Sequence, residues 1–142
     1  MNAFAQKIIH EKGKRHYSAT LPKEIPRGPV GDCFDWCIVV ALKFPQYEYV
    51  EGIVYNPIAK KWIYHAWLTD GTHAFDPTWK AVNDDGAEIP LHMMHYIGVQ
   101  MDKTKVADFM RETEYKAVLK NYWRNKDLAR AAVGLSTVST LT

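Results

Sequence analysis

A disulfide framework, a membrane span and a dominant charge are all missing from this chain of 142 residues. Its two cysteines, Cys33 and Cys37, stand within one helical turn of each other, a poor geometry for a bridge. No apolar run approaches the roughly 18 residues that a membrane-crossing helix needs. The 18 basic and 16 acidic residues leave a formal net charge of +2. Neither nucleic acid nor an anionic membrane is therefore expected as a partner. The first fifteen residues contain no apolar stretch followed by small residues, so no secretory signal is read and a cytoplasmic location is expected. No internal repeat is visible.

What is present is apolar and aromatic. Hydrophobic residues make up 47% and aromatic residues 13%, enough to bury one core. The expectation is a single α+β domain over residues 1–132, followed by a flexible tail over 133–142 that is small and hydroxylated. Residues 3–12 carry a short amphipathic pattern stopped by Gly13. From Lys14 to Gly31, Pro22, Pro26, Gly28 and Pro29 interrupt a segment with few apolar residues, which reads as irregular and extended. A helix is expected from Cys33 to Lys43, capped by Asp32 and ended before Pro45. It is apolar on nearly every side, the mark of a central helix. Residues 47–56 and 95–101 read as strands. Residues 103–132 read as two or three short helices, broken near Thr113 and Asn125.

Between these lies the most informative stretch, Trp62 to Trp79. Two aromatic-rich runs, 60–69 and 72–76, flank Asp70-Gly71, a strong hairpin signal. A two-residue loop pairs Thr69 with Thr72 and sets His65 directly opposite Asp76, on the same face and within hydrogen-bonding reach. Alternation puts Ile63, His65 and Trp67 on one face, and sends His73 away from Asp76.

An imidazole oriented by a carboxylate needs a nucleophile to act on, and Cys33 supplies one. Free N–H groups and the positive end of the dipole favour an anion at a helix start. Thiols so placed beside an imidazolium ionise at about 3.5–7.5 rather than 8.5. Cys33, His65 and Asp76 therefore have the order and placement of a thiol catalytic triad. The backbone N–H of Cys33 is the expected oxyanion donor. Cys37, one turn deeper, reads as core. Tyr17, Trp67 and Trp79 are candidates for a substrate cleft, with core packing as the other reading for each. His92 and His95 lack a third ligand at a recognisable spacing, so no metal or cofactor is expected.

The segments Gly31-Asp32-Cys33, His65-Ala66-Trp67 and Asp76-Pro77-Thr78 resemble the transglutaminase-like branch of the papain-like cysteine protease superfamily. The resemblance covers residues 31–79. It is closer still to small bacterial and phage proteins that carry a Tyr-Val-Glu-Gly strand, here Tyr49-Val50-Glu51-Gly52. It implies a papain/transglutaminase-like α+β fold, with the cysteine helix packed on an antiparallel sheet. It also implies thiol acyl-transfer chemistry on a protein or peptide substrate. Hydrolysis of a peptide or isopeptide bond is the first reading. Deamidation or cross-linking of glutamine uses the same triad, and a binding or inhibitory protein without turnover is the alternative of a different class. Members of the superfamily often place a glutamine oxyanion donor before the cysteine. Here the nearest preceding one is Gln6, so that second donor has no assignment.

Overall fold

The computed structural model describes residues 1–79 and 94–135. The chain opens with α1 (Ala3–Lys12), whose N-cap Asn2 accepts from the Ala5 amide at 2.7 Å. Its buried face is Ala5, Ile8 and Ile9. After β1 (Lys14–Ser18) and a connecting segment comes α2 (Cys33–Lys43), with Cys33, Cys37, Ile38, Val40 and Ala41 buried. The expected bounds of α2 hold at both ends. Pro45 forbids another turn, and Phe44 leaves helical geometry at φ −114°, ψ 102°.

Four further strands are β2 (Glu48–Asn56), β3 (Lys61–Thr69), β4 (His73–Phe75) and β5 (His95–Met101). They close with β1 into a barrel in the order β1-β4-β3-β2-β5, β5 returning to β1. All neighbours are antiparallel except β1 and β4. Closure gives the sheet an inner face, and the helices cover much of β2, β3 and β5 on the outer one. Val50, Val54, Trp67, Ala74 and Tyr96 cluster on the inner face. Tyr49, Ala66, Leu68, Phe75, Val99 and Met101 join α1, α2 and the C-terminal helices on the outer one. Trp67 fits inside because β5 carries Gly98: a Cβ there would stand 2.6 Å from both Trp67 Cζ2 and Val50 Cγ1.

The chain ends with α3 (Lys103–Thr113), a short 3₁₀ turn (Tyr122–Arg124) and α4 (Lys126–Ala132). The breaks near Thr113 and Asn125 are those expected: Glu114 takes a left-handed conformation at φ 61°, and Asn125 caps α4 through the Leu128 amide.

The structure corrects the expectations in four places. Lys14–Ser18, expected to be irregular, is a barrel strand; only His16 among its five residues is fully buried, so no apolar alternation marks it. The sheet is closed and includes a parallel pair, rather than being antiparallel throughout. The hairpin register is displaced by two residues, with Thr69 opposite Ala74 and Leu68 opposite Phe75. The Asp70 carboxylate accepts from the amides of Thr72 and His73 at 3.0 and 2.8 Å, which widens the turn. Only Gly71, at φ +105°, is left-handed there, whereas a two-residue Asp-Gly turn of the expected type needs both residues so. Lastly, Val133, first residue of the expected tail, is buried, and the Leu135 amide donates to Arg130. Residues 136–142 lie outside the described residues, as does His92.

Candidate active site

The site forms where β4 stops. β4 pairs with only Leu68 and Thr69 of β3. Among the described residues, β3 from Trp67 back to Lys61 has no ladder partner on that side. The chain turns out of β4 at Asp76, since Pro77 cannot donate to a ladder. α2 runs along β3, with Phe34 stacked on Tyr64 at 5.5 Å between ring centroids, and this sets Cys33 beside His65.

A displacement of two residues keeps every side chain on its expected face, so the His65–Asp76 pair survives the register correction. His65 Nε2 lies 2.7 Å from Asp76 Oδ2, with both side chains about nine-tenths buried. The pair is diagonal across the hairpin rather than directly opposed. Asp76 Oδ1 accepts from the amides of Thr78 and Trp79, both at 3.2 Å, which fixes the carboxylate as the strand ends. With Nε2 taken by Asp76, Nδ1 is the nitrogen left for Cys33, whose sulfur interacts with the same imidazole. Burial alone would lower the basicity of His65. The Asp76 charge and hydrogen bond, joined by Cys33, outweigh it and carry the pKa up to about 10. The ring is therefore held as an imidazolium at neutral pH.

The two cysteines separate clearly. Cys33 is 7% exposed and Cys37 is fully enclosed. Burial pushes the Cys37 thiol well above its ordinary value, and the charges of Asp76 and Cys33 add to the shift. Cys37 is therefore held as the protonated thiol.

Asp32 precedes α2 as expected, yet its side chain makes no capping bond. The amides of Cys33, Phe34 and Asp35 consequently have no acceptor among the described residues. They are donors available to an incoming oxygen.

The cleft candidates divide. Trp67 is completely buried inside the barrel, where its indole N–H donates to His16 Nδ1 at 3.0 Å, and it offers no surface to a substrate. Tyr17 is exposed on the outside of β1 beneath the Arg15 guanidinium, and its pairing partners are His73 and His95 rather than any member of the site. Trp79 is half-buried with its ring edge-on to His65 at 5.8 Å, so it borders the His65–Asp76 pair. His73 points away, as alternation requires, and pairs with Asp70 at 2.8 Å. His95 accepts from Arg15 at 2.9 Å.

Two buried polar residues escape the sequence. Tyr96, inside the barrel on β5, donates its hydroxyl to Asp76 Oδ2 at 2.8 Å. Glu51, fully buried on the outer face of β2, accepts from the Tyr49 and Tyr64 hydroxyls and from the amides of Val118 and Leu119. The left-handed Ala117, at φ 67°, turns those two amides toward it. Neither residue is predictable from pattern, because polar atoms on a doubly covered strand look like those of a solvated face. Among the described residues no group of three or more His, Cys, Asp or Glu side chains could hold a metal ion, and no helix is long and apolar enough to cross a membrane.

No family model, no curated protein and no solved structure matches this chain.

Proposed function

We propose that this protein is a thiol-dependent amide-bond enzyme of papain/transglutaminase-like fold, with Cys33 as nucleophile, His65 as proton carrier and Asp76 as the group that orients and charges the ring. The observation that carries the proposal is the convergence of two contacts on one imidazole: Asp76 at 2.7 Å on Nε2, and the Cys33 sulfur beside it. A buried histidine with a carboxylate alone is a common structural pair. Adding a thiol at an uncapped helix start turns it into a constellation able to attack an acyl carbon.

The steps follow from the groups present. The Cys33 thiolate adds to the amide carbonyl, and the developing oxyanion takes the N–H of Cys33 at the head of α2. The C–N bond breaks as the imidazolium of His65 gives its proton to the leaving amine, and a thioester remains on Cys33. Water then attacks, His65 takes its proton, and the acid is released as the C–S bond breaks, restoring the Cys33 thiolate and the His65 imidazolium. If the acyl group is a glutamine side chain, ammonia leaves first; water then gives deamidation, and a lysine amine gives a cross-link. Peptide or isopeptide hydrolysis is the primary reading. Cys37 takes no part.

The test is intact-mass analysis after incubation with peptide thioester and glutamine-peptide substrates. An acyl adduct mapping to Cys33, absent from Cys33→Ser, supports the proposal. A chain that forms no adduct, with Cys33 no more reactive than Cys37, would instead be a binding protein that has this architecture without turnover.

A further inference from the structure

Asp76 Oδ2 is shared. It takes the His65 Nε2–H at 2.7 Å and the Tyr96 hydroxyl at 2.8 Å, while Oδ1 is occupied by two backbone amides. Tyr96 is not a casual neighbour. It is 2% exposed, its ring packs edge-on against Trp67 at 4.9 Å, and β5 holds it between β1 and β2. A buried phenol needs an acceptor, and its only hydrogen-bond partner among the described residues is the oxygen that holds the catalytic ring. Burial, together with the Asp76 charge, pushes its ionisation well up, so it remains a donor at any pH where the site works.

We infer that Tyr96 is a positioning residue of this site: by sharing Asp76 Oδ2 with His65, its hydroxyl limits how tightly the carboxylate holds the proton of the imidazole. This rests on the reading of Cys33, His65 and Asp76 given above, and it adds a fourth member that does not touch substrate. The physical reason is competition. A carboxylate oxygen that already accepts one strong hydrogen bond presents less negative charge to a second donor. An imidazolium bound too firmly to Asp76 would be a poor acid toward a leaving amine. The other groups facing these residues are Cys33 and Cys37 from α2, the latter an uncharged thiol, the neutral rings of Trp67 and Trp79, and His16 of β1, which lies opposite Tyr96, accepts from the Trp67 indole and has its pKa lowered by burial. Among the described residues no lysine, arginine or second carboxylate interferes.

The experiment is a titration of the His65 ring nitrogens by ¹⁵N NMR in the full chain. It compares the natural protein with Tyr96→Phe and with 3-fluorotyrosine placed at position 96. Removing the donor should raise the midpoint of His65 by about one pH unit. The fluorinated phenol, a stronger donor of nearly the same shape, should lower it. Opposite shifts from two nearly isosteric replacements are not what a packing role produces. An unmoved midpoint, or displacement in the same direction by both, overturns the inference. If Tyr96→Phe fails to fold, the fluorinated protein decides alone: a lowered midpoint supports the inference and an unchanged one overturns it. The titration reads the hydrogen-bonded pair whether or not Cys33 turns over. Opposite shifts in a protein that forms no acyl adduct would therefore count against the enzyme and leave the role of Tyr96 standing.

Discussion

Glu51 and Asp76 each bring a carboxylate out of water, and each satisfies it with two hydrogen bonds per oxygen. Around Glu51 the donors are two tyrosine hydroxyls and two amides of the segment after α3. None of them carries a proton away near neutral pH, and burial pushes the pKa of Glu51 itself upward against the pull of its donors. It is a tie: it fastens the barrel to the C-terminal helices. Around Asp76 one donor is an imidazole, and beyond the imidazole stands a thiol. Burial and hydrogen-bond count are therefore no guide to chemistry here. What distinguishes the two is a partner that can change charge next to the Cys33 thiol.

The comparison breaks if the roles are exchanged by mutation. Glu51→Ala leaves four donors facing a cavity, and each buried unsatisfied group costs about 1–3 kcal/mol. A stability loss of about 3–5 kcal/mol in urea denaturation is expected. A loss below about 1 kcal/mol would mean that the tie holds nothing together.

Asp76→Ala should act on reactivity. Without the carboxylate the imidazole loses its orientation and charge, and alkylation of Cys33 at neutral pH should slow by about a hundredfold or more. His73→Ala should leave the rate within about twofold, because its exposed pair with Asp70 is remote from the thiol. If His73→Ala silences Cys33 while Asp76→Ala does not, with both variants folded by circular dichroism, the assignment of the pair fails.

A third difference appears with pH. His65 has a folded pKa of about 10 against an ordinary value of 6.5. A raised pKa means that the folded state holds the proton more tightly. Its contribution to stability is therefore fully present below pH 6.5 and is lost as the pH rises through about 10. The stability gap between the natural protein and His65→Gln should shrink by a few kcal/mol across that window. A gap that stays flat or widens would show that Asp76 does not hold the ring protonated.

The smallest effect belongs to Asp70. Slight burial pushes its carboxyl up, but the amide and imidazole of His73 and the amide of Thr72 pull it down to about 2. The contribution exists above pH 3.8 and fades as the pH falls through about 2. Because the group is exposed, Asp70→Ala should cost less than about 1 kcal/mol at neutral pH in the same urea assay. A larger loss would make the turn, rather than the strands, the element that sets the hairpin register.

These contrasts also explain which parts of the molecule the sequence reveals. The bounds of α2 are legible because a glycine and a proline punctuate a continuous apolar run. The contact between His65 and Asp76 is legible because strand alternation is insensitive to a displacement of two residues. The register itself is not, because it depends on whether the Asp70 side chain captures the amides of Thr72 and His73. β1 is hidden since closing the barrel asks only His16 of it. Tyr96 and Glu51 are hidden because both faces of the strands are covered, and alternation then no longer separates core from solvent. Tyr96 has one local sign, the small Gly98 two positions on along the same inner face, which makes room for Trp67 beside it.

The central claim is that Cys33, and not Cys37, is the reactive group of this protein. Brief iodoacetamide treatment of the folded chain near neutral pH, followed by peptide mapping, tests it most directly. The account predicts labelling of Cys33 at least about a hundred times faster than that of Cys37. Equal rates, or predominant labelling of Cys37, would contradict it.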